Sequence, residues 1–269
     1  VWHLRLVLAL IAAAVALGLT ATPAGAGGFM MPEGRGQLIA GVGYIEASRT
    51  FNPSGKSIST PSFRKAAISG FVEYGLTPDL TIIVAPTAAR MQAGSSSNTF
   101  SGSDESAFGA RLRLWGAPTW TLAVQALVEP PLGRRGNPAT EVALGGPHAF
   151  AADLRLQFGQ SGTVFGSPAF FSLEPGVRLR DQGWPDEARF DVTFGIRPWP
   201  RGQILVQAFA SSASGAGPLI PRTAYGKVQL SFVYDLSTAW SIQAGGLRTI
   251  VGRNAALETG PFAGVWYRF

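Results

Sequence analysis

The sequence predicts an all-β chain, an antiparallel up-and-down barrel of about twelve membrane-crossing strands behind a cleavable leader. Three observations carry that reading. Apolar and polar residues alternate with a period of two along most of the chain. The alternating stretches run to about ten to thirteen residues, where strands of soluble proteins cluster near five or six and a tilted membrane strand needs about nine to eleven. Short and long connections take turns between them, as they do in a barrel whose two ends face different compartments.

The first 26 residues stand apart. In "VWHLRLVLALIAAAVALGLTATPAGA", Arg5 precedes an apolar core from Leu6 to Leu19 and a small-residue site at Ala24-Gly25-Ala26. That is the layout of a secretory signal peptide. Its core falls short of the roughly 20 residues of a spanning helix. The expected organisation is therefore a signal peptide over 1–26 and one barrel over 27–269.

Strands are expected near 36–48, 63–75, 80–92, 106–115, 119–130, 148–159, 168–180, 188–198, 203–211, 224–236, 239–249 and 259–269. In "SAFGARLRLW", Phe108, Ala110, Leu112 and Leu114 oppose Arg111 and Arg113. In "HAFAADLRLQFG", Phe150, Ala152, Leu154 and Leu156 oppose Asp153 and Arg155. In "ARFDVTFGIRP", Phe190, Val192, Phe194 and Ile196 oppose Arg189, Asp191 and Arg197. "LTPD", "GAP", "WPRG" and "LST" make tight turns, whereas "RTFNPSGKSISTPS", "AGSSSNTFSGSDE", "PLGRRGNPATEVALGGP" and "SASGAGPLIPR" are long and polar. Pro175 falls inside the seventh strand, where a missing donor predicts a bulge or a split.

Composition agrees with a protein that meets something other than water. Charged residues are 14% and hydrophobic ones 46%, against about 25% charged in an ordinary soluble domain. The net charge of +6 comes from Lys and Arg spread thinly, and without a basic run nucleic-acid binding is excluded. With no Cys and one His after the leader, neither disulfides nor a transition-metal centre is expected, and no cofactor is.

Energetics fixes which face looks outward. Twelve strands enclose a space too wide for Val, Leu and Ala to fill, since about eight already use up what side chains can pack. An Arg or Lys turned into mid-membrane lipid costs about 2–4 kcal/mol. The apolar set must face lipid. On that parity Tyr74, Trp120, Tyr234, Trp240 and Tyr267 gather near one rim, an aromatic girdle at headgroup level.

The leader, the long alternating strands and the ending "GPFAGVWYRF" together resemble the bacterial outer-membrane β-barrels, over the whole mature chain. That resemblance implies location in the outer membrane, contact with outer-membrane lipid and lipopolysaccharide, and recognition of Val265, Tyr267 and Phe269 by the barrel-assembly machinery, while an even strand count brings both termini to the periplasmic side. "VEYGLTPDLTI" is similar to a hairpin of the phenol-degradation (meta-pathway) outer-membrane protein group, a likeness limited to residues near 33–92.

Inward parity holds Lys65, Arg111, Arg113, Arg155, Arg178, Arg180, Arg189, Arg197, Lys227 and Arg268, interleaved with Glu73, Glu129, Asp153, Glu174, Asp191 and Asp235. Bases outnumber acids there. One reading is a water-filled porin-like channel for passive passage of small solutes, leaning to anions. The other pairs the same charges into a salt-bridged core that closes the lumen of a structural or adhesive barrel. Inward Phe71, Phe170, Phe209 and Trp266 would narrow the path further or form an apolar route for an aromatic or lipid-like ligand. Loop charges Lys56, Arg134, Arg135 and Arg253 could meet lipopolysaccharide phosphates, though solvation explains them more simply. A hydrolase ranks last: His148 has no oriented Ser partner, and the surroundings of Ser161 form no G-x-S-x-G elbow.

Overall fold

The computed structural model of the chain describes residues 29–94, 99–132, 149–215 and 220–269. The expected signal peptide, Arg134, Arg135 and His148 lie outside the described residues. Fifteen strand segments occur: β1 (Gly36–Phe51), β2 (Ser57–Thr77), β3 (Leu80–Ala85), β4 (Thr87–Ala93), β5 (Thr99–Ser103), β6 (Ala107–Ala117), β7 (Trp120–Glu129), β8 (Ala151–Val164), β9 (Ser167–Arg180), β10 (Glu187–Trp199), β11 (Gly202–Ala213), β12 (Thr223–Asp235), β13 (Trp240–Arg253), β14 (Ala255–Ala256) and β15 (Thr259–Arg268). Three staves consist of two segments each: β3 with β4, β5 with β6, and β14 with β15. Every pairing is antiparallel, and β1 pairs with both β2 and β15. The first and last staves meet, so the sheet closes into a twelve-stave barrel, the closure by which a β-structure satisfies its backbone inside lipid.

Alternation along the staves sorts side chains into an apolar outside and a polar inside. Ile68 is 67% exposed and Leu230 59% exposed on the outer wall, while inward Asp153 and Gln157 are each 1% exposed. A soluble barrel has the opposite arrangement. Here the solvent that the outer wall accommodates is hydrocarbon.

Tight turns join β2 to β3, β6 to β7, β8 to β9, β10 to β11 and β12 to β13, all at one end. Gly36 and Phe269 meet at that same end, Gly36 N donating to Phe269 O at 2.8 Å and Phe269 N returning a bond to Gly36 O at 2.9 Å. Aromatic contacts concentrate there: Trp240 against Tyr267 at 4.6 Å, Tyr267 against Phe269 at 5.7 Å, and Trp120 between Trp115 and Phe158 at 6.4 and 6.3 Å. Tyr234 stacks beside Phe232 at 6.5 Å, and Tyr74 lies exposed on the outer wall.

The structure departs from the sequence reading in three places. Alternation starts the second strand at 63, but β2 begins at Ser57, because the polar run "SISTPS" pairs with β1 beyond a bulge between Ala47 and Arg49. Pro86 interrupts the third stave and is matched on the fourth by a hinge at Asp104, Glu105 and Ser106. There Ser106 Oγ takes a bond from Thr87 N at 2.9 Å and Asp104 N reaches Thr87 O at 2.9 Å, while Glu105 has φ +46°. Pro175 causes neither a bulge nor a split. β9 runs through it in register with β10, and on the β8 side only the pairings of Leu156 and Gln157 are lost before the same register resumes. A missing N–H removes ladder bonds on one side only.

Candidate functional site

The inward-facing side chains form layers along the barrel axis. At the mouth with the tight turns, Arg197 Nη1 donates to Asp235 Oδ2 at 2.6 Å and its Nη2 to Gln203 Oε1 at 3.0 Å; Arg268 Nη1 donates to Ser241 Oγ at 3.0 Å. Arg113 pairs with Asp79 at 3.4 Å on the same rim.

One step inward the wall turns apolar. Phe170, Leu205, Val233 and Trp266 form a buried cluster against which Ile39 and Phe29 pack, with Ile83 and Ala123 buried on neighbouring staves. Gly195 makes room for it: a Cβ there would sit 2.1 Å from the Phe170 ring. Phe29 comes from outside the barrel wall. Residues 29–35 form a strap that enters the mouth and puts this ring edge-on to Phe170 at 6.3 Å. Arg111 Nη1 grips the Phe29 carbonyl at 2.7 Å, Met31 N donates to Thr81 Oγ1 at 3.1 Å, and the turn at Gly34 (φ +71°) is tied to Gly75 by bonds of 2.9 Å. Between the strap and the rim lies a cavity of about 490 Å³ bordered by Arg35, Gln37, Glu73 and Arg268.

Beyond the apolar layer runs a band of charges and amides. Gln37 Nε2 donates to Glu73 at 2.9 Å, Arg111 pairs with Glu73 at 3.0 Å and donates to Gln125 at 3.0 Å, and Gln157 bridges Gln125 and Glu174 at 3.1 Å each. Arg155 is the hub. It holds Asp153 through Nε at 2.6 Å and Nη2 at 3.2 Å, reaches Asp191, and stands 3.8 Å from Glu174, while Arg189 takes the other side of Asp153 at 2.8 Å. The band continues as Thr193, Gln207 and Gln229. Toward the long connections follow Lys65 with Asp104 at 2.5 Å, Arg178 with Glu129 and with Glu105, Arg180 with Glu187, and Lys227 with Glu258 at 2.5 Å.

Each of the sixteen charged lumen-side candidates named from sequence takes part in at least one ion pair. The charge balance differs from the sequence reading. These pairs take in ten cations and eleven carboxylates, so bases do not outnumber acids. The acids that alternation missed are Asp79, Asp104, Glu105, Glu187 and Glu258, which sit at strand ends, hinges and turns where parity gives no direction. The strap was equally invisible, because "FMMPEGR" has no period.

Among the described residues no ion pair joins staves more than three apart in the sheet order, whereas opposite walls are six apart. The charges coat the wall. Phe29, brought in by the strap, packs on the apolar layer against Phe170.

No protein-family model matches the sequence, and no curated relative does. Solved structures do match in fold. An outer membrane channel from Pseudomonas putida F1 superposes with a TM-score of 0.71 at 12% identity, over 93% of this chain and 100% of that one. The translocator domain of the autotransporter NalP from Neisseria meningitidis gives 0.53 at 11% identity over 91% and 90% of the two chains, and the NanC porin 0.52 at 8% over 86% and 98%. At such identities the likeness is one of architecture, and that architecture is the bacterial outer-membrane β-barrel.

Proposed function

We propose that this chain is a non-enzymatic outer-membrane channel for passive passage of small solutes, with both termini on the periplasmic side and the long connections outside. The observation that carries the reading is a polar, charged inner wall whose ion pairs each link staves no more than three apart, short of the opposite wall. A barrel serving only as a scaffold has no need of a polar interior, which costs stability unless water or a solute uses it. The fold shared with channels and porins supports the same reading.

Anion preference loses its basis in an excess of lumen cations. Ten cations facing eleven carboxylates give a weak axial field, and near-equal permeability to K⁺ and Cl⁻ is expected. A second reading, a barrel shut at rest, is favoured by one feature: Phe29 seated on the apolar layer behind the mouth. Single-channel recording of the full protein in planar bilayers, beside Phe29→Gly, tests both. Steps in the native protein support an open path. Steps that appear only with Phe29→Gly support the closed one, and silence in both removes the channel reading.

A further inference from the structure

Outside the lumen the charge pattern reverses. Arg64, Arg90 and Arg248 face outward, exposed, and no carboxylate lies within ion-pair distance of them among the described residues. Register places them in one row round the wall. Arg248 is opposite Thr259, Thr259 opposite Glu46, Glu46 opposite Arg64 and Arg64 opposite Gln92, with Arg90 two residues further along the same face. At a strand spacing of about 4.8 Å, three steps put Arg248 about 14 Å from Arg64. An outward Arg costs about 2–4 kcal/mol at mid-membrane and about 0–1 near the interface. The row therefore marks headgroup level, on the side of the long connections.

Directly toward mid-membrane from Arg248 the wall is recessed. Tyr44, Val206, Val228, Leu230 and Pro261 surround a cavity of about 820 Å³ with Gly246 on its floor and Arg248 and Glu46 on its upper edge. The floor is open: a Cβ at Gly246 would meet only the Gly260 carbonyl oxygen, at 3.5 Å. An apolar recess headed by an unpaired guanidinium complements an acyl chain that ends in a phosphate, the anion Arg holds best by its planar fork.

We propose that this recess and its arginine row bind a phosphorylated glycolipid of the outer leaflet, one acyl chain lying over Gly246, one phosphate on Arg248 and a second within reach of Arg64 and Arg90. Glu46 sets the limit of the anionic site between them. The assignment rests on the long connections facing the exterior, as in the channel reading, but not on conduction.

The test is native mass spectrometry of the full folded protein in detergent, with bisphosphorylated hexa-acyl lipid A as probe and heat-modifiable migration as the check of folding. One bound lipid A is expected. Arg248→Ala and Gly246→Leu should each weaken it about tenfold, roughly one good contact's worth, Arg248→Lys should retain part, and lipid A stripped of phosphate should bind like the Ala variant. A hundredfold excess of inorganic phosphate should not displace the lipid. Wild-type affinity in both Arg248→Ala and Gly246→Leu overturns the proposal, as does displacement by phosphate alone, which would make this a simple anion site. If Gly246→Leu does not fold, Arg248→Ala combined with Arg64→Ala decides, because neither side chain has an ion-pair partner to lose. Conductance does not enter, so this proposal and the channel reading fail separately.

Discussion

Replacing Arg155 with Met should destabilise the barrel more than any other single change in the lumen. Its guanidinium grips Asp153 through two bonds and also holds Asp191, and all three side chains are at most 13% exposed. Without it, Asp153 keeps Arg189 at 2.8 Å, but Asp191 loses its ion-pair partner and Glu174 stands nearby as a third carboxylate. Removing one partner of a buried pair costs about 3–5 kcal/mol. Water in the lumen softens that toward the lower limit, so about 3 kcal/mol is expected. Adding Asp191→Asn removes the stranded charge and should recover about half. Urea unfolding in phospholipid vesicles, followed by tryptophan fluorescence, measures both. A loss below about 1 kcal/mol for Arg155→Met, or no recovery in the double variant, would refute the view that these charges form a mutually dependent wall.

Three further outcomes follow from the geometry. Pro175→Ala restores a donor opposite Leu156 and should add about 0.5–1.5 kcal/mol, with a newly protected amide at position 175 in hydrogen exchange; an unprotected amide there contradicts the account of the gap. Gly260→Ala, whose Cβ would lie 1.8 Å from the Tyr44 carbonyl oxygen, should cost about 1–3 kcal/mol by forcing the β1–β15 seam apart, read from the same urea curves. Glu105 lies past the outer end of β6, whose eleven residues already suffice for a crossing. Burial raises its carboxyl, but Arg178, Lys65 and Arg189 outweigh that and hold it at about 2, below its ordinary 4.5. A depressed carboxyl contributes stability above about pH 4.5 that is lost as pH falls toward 2. Glu105→Gln should flatten that part of the acid-dependence of the melting midpoint, and superimposable curves over the window would count against the Arg178–Glu105 pair.

Alternation made most of this molecule legible, because a period of two with charges on one parity leaves a single affordable register. Arg111, Asp153, Arg155, Arg189 and Asp191 could be placed on the inner wall from sequence for that reason. What alternation does not encode is anything set by tertiary contact alone. Asp104 and Glu105 turn inward only because Pro86 opposite them forces a hinge, and Glu258 does so beyond the end of β14. Phe29 is fixed by Arg111 and Phe170, 82 and 141 positions away. The reach of each ion pair was likewise unreadable, since it depends on how far apart staves stand in the closed sheet. Pro175 shows the converse: a local rule that predicts disruption was absorbed by a ladder on the other side.

The strap carries a consequence for biogenesis. Phe29 precedes the first stave and ends up wedged behind a mouth whose hoop is sealed only when the first and last staves meet. Either the cork is seated while the hoop still gapes, or it must be pushed through afterwards against a ring of indole and phenyl groups. A bulky fusion placed just ahead of Phe29 would therefore be expected to stall maturation late, with nearly all staves joined and the last joint waiting.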